Sequence, residues 1–220
     1  MSMAFKLDKN IWMSALALGL FGVAGAAIVA TTDWLTHDRI IAEQKAARLK
    51  NINEILPRDR YDNDLLKDQL RVTDGLFSPE QPAIVFRARK QGKPVAAIFQ
   101  TTAPNGYSGP ITLLVGILAN GTISGVRVIE HNETPGLGDQ IERRKSPWVL
   151  EFNGKSLGDP PAERWAVKRD GGVFDQFTGA TISPRAVTQA VKKSLLYFRD
   201  HRDEIFAAGQ PAREQAANSP

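Results

Sequence analysis

The residues best suited to chemistry form a short run late in the chain, Asp175-Gln176-Phe177-Thr178-Gly179-Ala180-Thr181. The threonine hydroxyls of Thr178 and Thr181 flank Gly179 and Ala180, small residues that leave the backbone open to approach, and helical periodicity begins directly afterwards. Amides at a helix N-terminus carry partial positive charge, so a phosphate beside Thr181 would gain hydrogen bonds and a favourable dipole interaction. Read by itself, the run is an anion site or an ordinary helix cap. A second candidate is His131-Asn132-Glu133-Thr134-Pro135-Gly136-Leu137-Gly138-Asp139. Its glycines let the backbone approach a flat ligand closely, with Glu133, Thr134, Gly136, Leu137 and Gly138 as the contacts, and the alternative is a turn-rich connection. A third, Gly106-Tyr107-Ser108-Gly109-Pro110-Ile111, offers Tyr107 for packing or for ligand contact.

Composition removes several other chemistries. The chain has 220 residues and no cysteine, which excludes disulfides, iron–sulfur ligation and thiol catalysis within it. His37, His131 and His201 are too scattered to suggest a metal site. A net charge of +4 without a lysine or arginine block argues against nucleic acid as a partner. No Gly-x-Gly-x-x-Gly follows a strand and opens a helix, so no nicotinamide site is expected.

The elements that must position these residues follow from periodicity. Residues 11–30 hold no charge over a length that matches the hydrocarbon core of a bilayer, with Trp12 and Trp34 near the two ends. They are expected to span a membrane, Lys6 and Lys9 favouring a cytoplasmic N-terminus (residues 1–10). A cleaved signal peptide is the competing reading, since Ala24 to Ala27 could offer a cleavage site. Apolar residues at helical spacing predict a juxtamembrane helix over 31–56, ended by Pro57. One domain should occupy 57–208. Within it, Ala83–Ala88 with Val95–Gln100, and Ile111–Ala119 with Ile123–Glu130, read as two hairpins turned at Gly92 and at Asn120-Gly121, the latter suited to a type I′ turn. Trp148–Phe152 and Trp165–Lys168 are candidate short strands. Pro184 to Phe206 reads as an amphipathic helix with Ser183 as N-cap and Pro184 at the first helical position. A flexible tail is expected over 209–220. The fold class is therefore α+β: a single N-terminal transmembrane helix, antiparallel hairpins and a C-terminal helix.

The pattern Asp-x-x-[Ser/Thr]-Gly-Ala-Thr before a helix resembles the attachment motif of covalent FMN-binding domains, whose final threonine is esterified to the flavin phosphate. Thr181 stands at that position, with Asp175, Thr178, Gly179 and Ala180 completing the motif. Together with Gly106–Ile111, His131–Asp139 and the N-terminal span, the chain resembles the G subunit of the Rnf electron transport complex over nearly its whole length. The resemblance implies FMN as the covalent cofactor and a separate magnesium-dependent flavin transferase as the maturation partner. It also implies other membrane and iron–sulfur subunits as electron-transfer partners, and a domain on the periplasmic side of the inner membrane. Electrons would pass between ferredoxin and NAD with coupled ion movement, or to a redox sensor.

Other readings are distinct in what they predict. The C subunit of sodium-translocating NADH:quinone reductase shares the attachment motif, but this chain is short for it. A structural assembly subunit would carry no flavin. An envelope hydrolase using Thr181 or Ser183 as nucleophile would need a base that no neighbouring histidine or lysine supplies.

Overall fold

A computed structural model describes residues 9–77 and 81–207. The expected tail over 209–220 and most of the expected N-terminal segment over 1–10 lie outside the described residues. The chain divides into two units, residues 1–49 and 50–220, each with its own internal contacts.

The described part of the first unit is a single helical stretch, the larger part of α1 (Lys9–Ile55). Its apolar section, Trp12–His37, covers 26 residues, about 39 Å at 1.5 Å per residue, enough to cross a bilayer. Leu16, Leu20, Phe21, Val23 and Ile28 are exposed, so the apolar character runs around the helix rather than along one stripe. The hydroxyls of Thr31, Thr32 and Thr36 donate to the carbonyls of Ala27, Ile28 and Thr32 at 2.7–2.8 Å, which satisfies them inside the helix. α1 runs on from its apolar section without a break to Ile55, and Pro57 follows.

The second unit is built on a five-stranded antiparallel meander in the order β1 (Gln69–Val72), β2 (Ala83–Lys90), β3 (Lys93–Ala103), β4 (Ile111–Leu118) and β5 (Ile123–Glu130). Both sequence-expected hairpins form, and β1 adds an edge strand too short to show a pattern in the sequence. The type I′ geometry expected at Asn120-Gly121 is found instead at the Gly92 turn. Gln91 (φ 52°) and Gly92 (φ 74°) supply the paired positive φ angles of a type I′ turn. At Asn120-Gly121 only Gly121 is left-handed (φ 86°), because the loop spans four residues between β4 and β5 and Asn120 Oδ1 accepts from the Thr122 amide at 3.1 Å.

Strand side chains alternate between two covered faces. On one, Phe86, Ile98 and Leu114 pack with Ile52, Ile55, Leu56, Tyr61 and Leu65. Here Gly125 permits close approach, since a Cβ there would lie 3.0 Å from the Ile55 side chain. On the other face, Val85, Phe99, Leu113, Val115 and Val126 pack under the closing helix α2 (Ile182–Phe206) through Val187, Val191, Leu195 and Phe198. This double burial explains why the strands read as nearly continuous apolar runs. The far end of α2 is held by arginines from β2: Arg87 Nη1 donates to the Ile205 carbonyl at 3.4 Å and Arg89 Nη2 to that of Phe206 at 3.1 Å. Asp68 pairs with both guanidinium groups.

Candidate functional site

The attachment run rests on an aromatic cluster. Phe152 lies between Phe174 and Trp148, ring centroids 4.5 and 5.2 Å away, and Trp165 is 4.9 Å from Phe174. Trp148 also packs on Phe177 at 5.3 Å, and its Nε1–H donates to the Asp175 carbonyl at 2.8 Å. The expected strands at Trp148–Phe152 and Trp165–Lys168 are not strands. Residues Trp148–Phe152 form a 3₁₀ turn that points Trp148, Val149 and Phe152 into the core. Val167 makes only an isolated bridge to Phe174. The start of β5, where an added strand could pair, is already engaged: Ile123 donates to the Lys155 carbonyl and accepts from the Gly154 amide. The approach to the motif is a tight turn in which the Lys168 amide donates to Phe174 O at 2.7 Å. A Cβ on Gly172 would fall 1.8 Å from Ala166 O, so only glycine fits there.

The chain then reverses at Phe177–Ala180, where Ala180 N–H donates to Phe177 O at 3.1 Å and Gly179 adopts φ 80°. Thr181, not Ser183, is the N-cap residue of α2, and its hydroxyl makes no capping hydrogen bond. The first turn leaves the amides of Ile182 and Ser183 without intrahelical acceptors, and Pro184 has none to offer. The site thus combines a partly exposed, uncommitted hydroxyl with two adjacent amides that have no intrahelical acceptor. Ser183 cannot cap because its hydroxyl is taken by a hydrogen bond to Glu133 Oε2.

That bond links the three sequence motifs. Glu133 is buried, and its other oxygen, Oε1, accepts from the Ser108 amide at 3.0 Å. Gly106 and Gly138 make room for the carboxylate: a Cβ at either position would lie 2.8 Å from Oε1 or 2.7 Å from Oε2. His131 fixes the start of the loop, its Nδ1 accepting from the Glu133 amide at 3.0 Å. This puts the ring proton on Nε2, which faces Glu142 Oε1 at 2.9 Å. Gly136 is left-handed (φ 78°) and donates to Asp139 Oδ1 at 2.8 Å.

Together these segments enclose an open pocket of about 290 Å³. Tyr107, Glu133, Thr134, Leu137 and Gly138 line one side, and Gly179 to Ser183 the other. Tyr107, Leu137 and Ile182 are the large hydrophobic side chains left exposed outside α1 among the described residues, and all three stand at this pocket. Of the sequence-derived candidates, Gly136, Asp175 and Thr178 do not line it. Gly136 shapes the loop behind it. Thr178 is exposed on the turn. Asp175 lies on the outer surface, paired with Lys168, and its amide donates to Glu151 Oε2 at 3.3 Å. Hydrogen bonding to Asp175 holds the Lys168 ammonium above its ordinary range, while burial pushes the Glu151 carboxyl up. The sequence reading leaves Ser108 and Ile182 out of the candidates and treats Ser183 as a cap or a nucleophile. The Gly-x-x-Gly spacing around Ser108 was the visible signal for the first, and the adjacency of Ser183 to Thr181 was read as capping. No group of His, Asp and Glu suited to a metal ion occurs among the described residues.

The pocket lies within the segment matched by the FMN-binding domain family, residues 106–196, and the RnfG N-terminal region family matches residues 1–55. The chain is 46% identical over 213 residues to a Pseudoalteromonas atlantica protein named as the G subunit of an ion-translocating oxidoreductase complex, covering 96% of this chain and 99% of that one. Proteins of the same name from Pseudomonas aeruginosa (48%, covering 93% and 96%) and Vibrio cholerae (41%, covering 92% and 97%) are similar along nearly their whole lengths. A C subunit of another translocase is thereby set aside, and the chain belongs to the family of G subunits of ion-translocating oxidoreductase complexes.

Proposed function

We propose that this protein carries FMN esterified through its phosphate to Thr181 and passes electrons within a membrane complex. The observation that carries the reading is the uncommitted Thr181 hydroxyl at the mouth of a pocket lined by free amides and exposed apolar side chains. The residues fit the group. The amides of Ile182 and Ser183 can bind the phosphodiester oxygens, and the N-terminal end of α2 favours the single negative charge. Leu137, Ile182 and Tyr107 offer apolar surface to a flat ring, and Gly179 keeps the entrance clear: a Cβ there would meet only Leu137, at 3.9 Å. The pocket is small and open, so a bound ring keeps an edge accessible to a partner. The isoalloxazine supplies the reversible acceptance of electrons, and the protein supplies position and electrostatics.

In maturation, Thr181 Oγ1 would give its proton to a base of the maturing enzyme as it bonds to the phosphorus of the FMN half of FAD. The pyrophosphate bond breaks and AMP leaves, within the active site of a separate flavin transferase. Asp175, exposed on the outer surface beside Lys168, is placed to be read by that enzyme or to hold the loop. Thr181 is a tether, not a turnover nucleophile. We place the domain on the periplasmic side of the inner membrane, anchored by α1, with membrane and iron–sulfur subunits as donors and acceptors, and with ion movement coupled elsewhere in the complex.

The test is denaturing electrophoresis under ultraviolet light, followed by peptide mass analysis, on protein co-expressed with a flavin transferase. A fluorescent band whose Thr181 peptide is heavier by FMN less one water is expected. A dark band with unmodified Thr181, beside a control substrate that is flavinylated, would refute the reading and favour a structural role in assembly.

A further inference from the structure

Glu133 differs from Asp139, the other buried acidic group among the described residues, in having no cationic partner. Asp139 has Lys145 at 3.4 Å. Glu133 is 4% exposed, and among the described residues no lysine, arginine or histidine side chain pairs with it. Its oxygens are held by two neutral groups, the Ser108 amide at Oε1 and the Ser183 hydroxyl at Oε2. Gly106 and Gly138 leave open the space those oxygens fill, since a Cβ at either would lie within 2.8 Å of one of them. The result is a buried carboxyl group with no neighbouring cation in the wall of the pocket that Thr181 also lines.

We infer that Glu133 sets the reduction potential of a flavin held at Thr181, its buried charge disfavouring electrons added to the ring. The inference rests on the flavin reading above. Each electron that reaches the ring adds negative charge until a proton from solvent neutralises it. A like charge behind a partly water-excluded wall opposes that step more strongly than it would in water. Glu133 is a positioning and field-setting residue. It neither donates nor accepts electrons.

The experiment is an anaerobic redox titration of the full, flavinylated chain in detergent at pH 7, with dithionite as reductant and flavin absorbance as readout. At the wild-type midpoint the reduced-to-oxidised ratio is one by definition. Glu133→Gln keeps the shape and removes the charge, and should raise that ratio at least about tenfold, ~30 mV for a two-electron couple. Glu133→Asp retains the charge and should stay within about threefold of wild type. Ser183→Ala removes one donor from the carboxylate, leaves its charge less shielded, and should move the ratio below one. A Gln variant with an unmoved ratio, or Gln and Asp variants shifted equally, would overturn the inference. Should the Gln variant fail to retain flavin, Ser183→Ala decides alone, and a ratio that stays at one or rises would overturn it. Failure of the flavin reading itself shows earlier and separately, as wild-type protein without covalent flavin.

Discussion

Replacing Thr181 by alanine separates a tether from a helix cap. A threonine that caps a helix contributes about 1 kcal/mol through its bond to a first-turn amide. Thr181 occupies the N-cap position of α2 yet makes no such bond. Its removal should therefore cost less than about 0.5 kcal/mol, and in a chain of this size 1 kcal/mol moves the melting temperature by roughly 2–4 °C. The expected change is below about 2 °C. The comparison must use wild type and variant both made without flavin transferase, because a ligand bound to the native state stabilises it. Unfolding of the full chain in detergent can be followed by tryptophan fluorescence, since Trp148 and Trp165 lie in the aromatic cluster beneath the motif. With transferase present, the same variant should lose all covalent flavin. A fall of more than about 4 °C in the flavin-free pair would show that the hydroxyl is structural, and covalent flavin surviving in the variant would place the attachment elsewhere.

Gly138→Ala should abolish the link between Glu133 and Ser183, because its Cβ would lie 2.7 and 2.8 Å from their oxygens. Gly136→Ala meets nothing within 4 Å and should cost only the roughly 1–2 kcal/mol of a left-handed backbone. Flavinylation yield and thermal unfolding compare the two, and equal effects would contradict the steric argument. Phe152→Ala removes a fully buried ring from the aromatic cluster and should destabilise by about 3–5 kcal/mol, a melting shift on the order of 10 °C. A shift under 3 °C would mean that the cluster does not support the site. The hydrogen bond from Arg185 holds the Asp170 carboxyl below its ordinary value of 3.8. A depressed carboxylate contributes stability that is present above that value and lost as the pH falls through the native one. The melting difference between wild type and Arg185→Met should accordingly be constant above about pH 5 and shrink below pH 4, and a difference that grew with acid would reverse the assignment.

Where pattern and local physics coincide, the sequence was legible. The two central hairpins and α2 follow from apolar periodicity and turn residues, and the apolar section of α1 from its uncharged length. The short strand β1 carried no signal because four residues beside a loop have no period to read. The aromatic stretches at Trp148 and Trp165 looked like strands because β-rich composition does not reveal that the start of β5 is already engaged by Gly154 and Lys155. At the site, the motifs marked the right loops, but not how their side chains divide the work. Ser183 read as a cap because its acceptor, Glu133, is 50 residues away in sequence. Gly136 read as a contact because a glycine's role, open backbone or forced turn, depends on a φ angle that sequence does not contain.

The arginine clamp on the last carbonyls of α2 has a practical corollary for labelling. The regular stretch of α2 before its non-helical residue at His201 runs for 19 residues from Ile182, about 28 Å. A fluorophore or affinity handle joined at Ala207 would therefore leave the fold beyond the far end of that stretch from Thr181, beside β2 rather than beside the pocket. Distance-dependent quenching between a dye there and the cofactor would act as a ruler along the helix.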